Sequence, residues 1–475
     1  MQLFPVTPVL IVLWAIMAFR GTDRALAFSI CLLPFGMLAA FSLPALGDLS
    51  LLAVHVTASL TIALIVAATA LAAVRGEPMR VPAEALALGA YVAYGVISAF
   101  ILVRLFEGEF SVFSLSRSAD GVAVSVFFRS MLTPLRPGNS NLSQAAYLII
   151  SFAFFVACWA MIRRRGLAYF ENILRIIAIV NAVLGTMDML GLDPVLSVVR
   201  TATYELANSQ MSAGMPRIIG GYPEPSSFGS FSAVIFGYFA AAYLVSGRRI
   251  DGGLALLCLA FALASLAASA FIALAGSSLF LAFLARGKVF GRFPRGASLM
   301  VGLGLCLIMM AGAIIVIATP IPEFVEKAVR EIIFDKAGSE SGLERGAWAA
   351  NGLVAFRETF GLGAGVGSLR SNGLVSVVLG SVGIPGALAL GAFLVAAFVR
   401  PLRAEADEDA VRVFAGARAA AVAQLSAMLA SATVPDPGLP LLLFAAAAVV
   451  CRGFSGRAAI APRTVPLRQI SVSAS

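Results

Sequence analysis

The segment Arg217-Ile218-Ile219-Gly220-Gly221-Tyr222-Pro223-Glu224-Pro225-Ser226-Ser227-Phe228-Gly229 gathers residue types that could do chemistry. Glu224 precedes a proline suited to a first helical turn, and the glycines let backbone approach a ligand closely. A carboxylate there can serve as a general base, or it can simply cap a helix N-terminus, where the dipole favours negative charge. A second block begins with Ser341-Gly342-Leu343-Glu344, a capping-box pattern. It continues through Arg345, Trp348, Asn351, Phe356 and Arg357 to a stop at Gly361. Gly361 to Gly367 then has glycine at alternate positions and leads to Arg370. Its amides could cradle phosphate; packing is the alternative, because the lysine of a nucleotide P-loop is missing. Asp188 sits near the outer end of an apolar run, so it either functions inside the membrane or reaches water. His55, the single histidine, reads as a core residue or as a catalytic helper.

These residues must be positioned by helices in lipid. The chain has 475 residues, 60% hydrophobic and 12% charged, with a mean hydropathy of +0.95. Soluble domains carry about 25% charge. Continuous apolar runs such as Leu51 to Val74 exclude the alternating pattern of a β-barrel. The fold class is therefore all-α, a polytopic transmembrane bundle of about 12–14 spans. Spans are expected near 4–19, 25–45, 50–74, 84–105, 145–162, 173–196, 226–246, 297–319, 373–399, 415–433 and 438–451. The run from Gly253 to Ala285 is too long for one span and is split near Ser269 into two short helices. Residues 1–451 form a single transmembrane domain, followed by a basic, disordered tail over 452–475.

Arginine and lysine set the orientation. The clusters Arg20/Arg24, Arg75/Arg80, Arg163-Arg164-Arg165, Arg248/Arg249, Arg286/Lys288/Arg292/Arg295, Arg400/Arg403 and the tail from Arg452 fall on one side only with that split. This side is expected to be cytoplasmic, the C-terminus included. The outer loops are then 106–144, 197–222 and 320–372. Within the last, residues 323–334 read as an amphipathic surface helix. The net charge of +9 reflects these loops, not nucleic-acid binding. Cys31, Cys158, Cys258, Cys306 and Cys451 are scattered singly, which points to neither a disulfide framework nor a metal site. The first residues read as a span, not as a cleavable signal peptide.

The pattern R-x-x-G…E-P-S-x-x-G of 217–229 resembles an outer-loop motif of the bacterial O-antigen polymerase/ligase superfamily, which includes exopolysaccharide polymerases. Ser341 to Arg345, Phe356 to Asn372 and Gly383-Ile384-Pro385-Gly386 are similar to its second signature. The resemblance covers about 217–386, in pieces. It implies transfer of an oligosaccharide from undecaprenyl pyrophosphate to an acceptor glycan at the outer face of a bacterial inner membrane. Arg217, Arg345 and Arg370 would hold the pyrophosphate through paired donors, with Arg200 and Arg357 as secondary candidates. Glu224 would be the general base, with Arg217 beside it in the catalytic pair. No cofactor or metal is expected, since arginines neutralise the leaving group and no DxD occurs in the expected outer loops. The expected partners are the lipid-linked glycan, the bilayer and a candidate chain-length regulator; nucleic acid is not one. Ligases of the superfamily carry a histidine in the last large loop. Ser371 and Asn372 stand there instead, favouring a polymerase. A ligase of the same fold is the alternative, and a lipid-linked sugar flippase the alternative of another class.

Overall fold

The computed structural model describes residues 2–43, 49–75, 81–114, 131–202, 211–212, 215–286 and 340–453. Their helices are α1 (Thr7–Phe19), α2 (Thr22–Cys31), α3 (Ala53–Val74), α4 (Glu84–Leu105), α5 (Asn139–Arg165), α6 (Leu167–Met189), α7 (Pro225–Ser246), α8 (Arg249–Ala264), α9 (Ala268–Arg286), α10 (Glu340–Glu358), α11 (Leu374–Val399), α12 (Glu408–Ser431) and α13 (Leu439–Gly453). Seven of these are long and apolar enough to cross a membrane, and α1, α9 and α13 are shorter apolar helices. The protein is thus an all-α, multi-pass membrane bundle. The expected span near 297–319, the amphipathic helix at 323–334 and the tail beyond Gly453 lie outside the described residues, as does Cys306.

Local sequence sets most helix ends. Pro225 occupies the first turn of α7, and Gly247 ends it in the left-handed region (φ 66°), where a side chain would be strained. Gly166 (φ 87°) separates α5 from α6. The chain breaks between α8 and α9 at Ser265–Ala267, where Leu266 has φ 49°, in agreement with the expected split near Ser269. α7 is the most enclosed span and packs on α8, α9 and α12, while α3 lies at the periphery. Close approach of α7 and α12 depends on small residues: a Cβ on Gly416 would meet the Tyr238 ring at 2.7 Å.

One expected span is corrected. In place of a membrane-crossing helix over 25–45, α2 ends at Cys31, and Ala39–Leu43 is the central strand of a three-stranded antiparallel sheet with Gln2–Leu3 and Leu49–Leu52. Pro34 disfavours helix at the residue before it. Gly36 also leaves room for the Tyr222 ring, which a Cβ there would meet at 2.6 Å. The Met37 amide then donates to the Gly221 carbonyl (2.8 Å), tying this turn to the segment that opens α7. The loop drawn over 106–144 is also shorter, because α5 starts at Asn139.

Ion pairs gather many of the basic clusters at one end of the bundle. Arg164 and Arg165 hold Asp23 (2.6 and 2.9 Å). Arg452 lies 2.9 Å and Arg400 3.9 Å from Glu84, and Arg248 lies 3.3 Å from Asp409. The starts of α2, α4 and α12 therefore meet the ends of α5, α7, α11 and α13. The start of α7, the end of α6 and the α8–α9 break lie at the opposite end.

Candidate functional site at the end of the bundle opposite the basic clusters

The segment before α7 is fastened by charge. Asp188, in the last turn of α6, accepts the amides of Ile219 and Gly220 (2.7 and 3.0 Å) and pairs with Arg200. Arg200 also donates through Nε and Nη2 to the Gly220 carbonyl (2.9 and 2.7 Å) and through Nη1 to Asp193 (3.1 Å). Its side chain is 7% exposed. Every guanidinium nitrogen of Arg200 thus has a protein acceptor, so the residue clamps the loop. Asp188 is the other half of that clamp and does not simply face water.

The clamped loop delivers Arg217 to the broken helix. Its guanidinium donates to the carbonyls of Ser265 (3.4 Å) and Leu266 (3.0 Å), the end of α8, where unsatisfied carbonyls and the helix dipole favour a cation. Gly229 allows this junction to form, since a Cβ there would lie 2.0 Å from the Ser265 hydroxyl. Three serines line the seam. Ser230 and Ser269 share a hydroxyl hydrogen bond (3.0 Å), and Ser269 also donates to the Ser226 carbonyl (3.2 Å).

Glu224 sits at the N-cap of α7 with extended backbone (φ −142°, ψ 149°). Its carbonyl accepts the Ser227 and Phe228 amides. Its carboxylate does not cap; it accepts the Ser226 hydroxyl (2.7 Å) and remains half-buried. Of the two roles open to it, the side chain leaves helix capping to the backbone.

Arg345 comes from α10, one turn before Trp348, and both lie on the same helix face. Arg370 stacks its guanidinium over the Trp348 ring at 5.0 Å. The Ser371 hydroxyl donates to the Trp348 carbonyl (3.3 Å). Arg217 lies within electrostatic range of both Glu224 and Arg345. Burial lowers its proton affinity, the Glu224 carboxylate acts to restore it, and the Arg345 charge lowers it further. The fold thus places Arg217 within electrostatic range of Glu224 and Arg345, and stacks Arg370 on Trp348, one turn along α10 from Arg345. Arg357, on the same helix, is exposed.

The glycine run is a packing element. Gly361, Gly363, Gly365 and Gly367 all have positive φ. The Gly363 amide donates to Thr359 Oγ1 (2.9 Å), Ala364 to the Gly380 carbonyl (2.8 Å), Gly365 to Ser381 (3.0 Å) and Val366 to Ser98 Oγ (3.2 Å). Amides engaged in this way cannot also cradle a phosphate. The run instead threads past a kink in α11, where Gly383 (φ 58°) precedes Pro385. His55 lies apart, edge-on to Tyr147 with 5.0 Å between ring centroids.

Sequence reading missed Trp348 and the Ser226/Ser230/Ser269 seam as parts of this site. The available signal was the set of hydroxyls at matching depth in two neighbouring apolar helices. Among the described residues no group of three or more His, Cys, Asp or Glu is placed to hold a metal ion. Neither a protein-family model nor a curated protein matches the chain.

Proposed function

We propose that this protein polymerises undecaprenyl-pyrophosphate-linked oligosaccharide units into a surface polysaccharide at the periplasmic face of a bacterial inner membrane. The observation that carries the reading is that Arg217 lies within electrostatic range of both Glu224 and Arg345 at the end of the bundle opposite the basic clusters. A sugar hydroxyl of the acceptor attacks the anomeric carbon of the donor unit. Its proton passes to the Glu224 carboxylate as the new C–O bond forms on the face opposite the leaving group. The bond from the anomeric carbon to the pyrophosphate oxygen breaks, and the electron pair leaves with the lipid pyrophosphate. Arg217 and Arg345 neutralise that anion, with Arg370, stacked on Trp348, as a further cation. The basic end, with the C-terminus, faces the cytoplasm in this reading.

Arg217→Ala, Arg345→Ala and Glu224→Gln are each expected to abolish polymer while the protein persists in the membrane. The measurement is a gel of surface glycan beside an immunoblot. Normal ladders in all three variants would overturn the assignment. The glycan left by a deletion separates the alternatives: single-unit products fit a polymerase, whereas finished polymer kept on the lipid carrier fits a ligase. Units trapped inside fit a flippase.

A further inference from the structure

Between α12 and α13 the chain runs through Val434-Pro435-Asp436-Pro437-Gly438, and this loop does not stay at the end of the bundle. Both Asp436 oxygens accept from the Ser151 hydroxyl (2.9 and 3.0 Å). Ser151 is close to the centre of α5, which spans Asn139–Arg165. At 1.5 Å per residue, about 18 Å of helix lies on one side of it and about 21 Å on the other. A hydrocarbon layer about 30 Å thick around α5 then has Asp436 near its midplane. The length of α13 agrees: it has only 15 residues and reaches the basic end, where Arg452 meets Glu84, so it starts deep in the bundle.

The groups facing Asp436 are few and mostly neutral. The Gly438 amide donates to it (2.9 Å). From α4, Tyr91 donates to the neighbouring Pro435 carbonyl. Tyr147, one turn before Ser151 on α5, and Tyr91 both lie within range of its charge. His55 of α3 packs on Tyr147, with its Nδ1 buried and lacking a hydrogen-bond partner. Among the described residues no Lys or Arg forms an ion pair with Asp436; the ion pairs lie at the basic end and at the Asp188–Arg200 clamp. An unpaired carboxylate at that depth is expensive, and it neutralises by taking up a proton.

We propose that Asp436, held by Ser151 and Gly438 and flanked by Tyr91, Tyr147 and His55, is a proton-binding site at mid-membrane depth. It takes a proton onto a carboxylate oxygen and releases it without any other bond changing. This inference stands independently of the proposed polymerisation. The chain leading into Asp436 is tied to the Arg370 segment, since Gly373 N–H donates to the Ala432 carbonyl (2.8 Å) and Asn372 Nδ2 to that of Ala430 (3.2 Å).

The test is infrared difference spectroscopy of the full chain in nanodiscs as pH is lowered from alkaline to mildly acid. Wild type is expected to gain a protonated-carboxyl C=O band that shifts in heavy water. Asp436→Asn, whose amide oxygen can accept the same hydrogen bonds, is expected to lack that band. Its persistence in D436N, or its absence from wild type at every pH, overturns the proposal. So does a carboxylate change driven by Na+ at fixed alkaline pH with no protonated band, since that is the signature of a metal-ion site. Should D436N fail to fold, carbodiimide labelling of the wild-type chain, mapped by mass spectrometry, decides: Asp436 modified at acid pH and spared at alkaline pH supports the site, and no modification overturns it.

Discussion

Arginines meet carboxylates at both ends of this bundle, with opposite results. At the basic end, Arg412 is 1% exposed and grips both oxygens of Glu171 (2.7 and 2.8 Å), with Asp409 at 2.6 Å. Arg248 lies 3.9 Å from the same Glu171, and Arg175 lies 3.8 Å from Asp251. Three guanidiniums face three carboxylates, so the charges cancel where helices α6, α8 and α12 meet. At the other end, Arg217 lies within electrostatic range of the Glu224 carboxylate and of a second guanidinium, Arg345. Cancelled charge fixes packing. Two guanidiniums within range of each other raise the local positive potential, which the proposed pyrophosphate contact would use.

The comparison can be broken at either end. Arg412→Ala is expected to have the largest effect, about 3–5 kcal/mol of destabilisation, because it strands the buried Glu171 charge. Thermal unfolding in detergent and the amount of protein in the membrane would both fall; an unchanged melting temperature would show that the basic-end network does not hold the bundle. Glu224→Gln should leave melting intact and lower glycan synthesis by about 10²–10⁴-fold, the range of a general base. Arg217→Lys keeps the charge but loses the paired donors, so polymer should drop while protein level holds. Wild-type synthesis by this variant would show that charge alone suffices. Asp188→Asn breaks the charge pair with Arg200 and is expected to cost about 1–3 kcal/mol, with a secondary loss of activity as the loop before α7 loosens. Ser269→Ala should be the mildest, about 0.5–1.5 kcal/mol, and a melting curve would read it.

Several features were legible in the chain alone because they depend on neighbours in sequence. Hydrophobic runs long enough for lipid, the break near Ser269 and the helix start at Pro225 follow from local composition and allowed backbone angles. Hydropathy overshot at 25–45 because it sums apolar character and ignores the turn imposed by Pro34 and Gly36.

The roles of the charged residues were a different matter. Arg200 and Arg217 look alike in sequence, two arginines in one loop. Only the fold decided that Arg200 would spend its nitrogens on Asp188, Asp193 and Gly220 while Arg217 would reach the end of α8 beside Glu224 and Arg345. Likewise, the glycine run could have wrapped an anion until α11 and α4 took up its amides. The physical reason is range. Burial preference and helix termination act within a turn or two of the chain, whereas a charge is satisfied by whichever partner the packing of distant helices brings within a few ångströms.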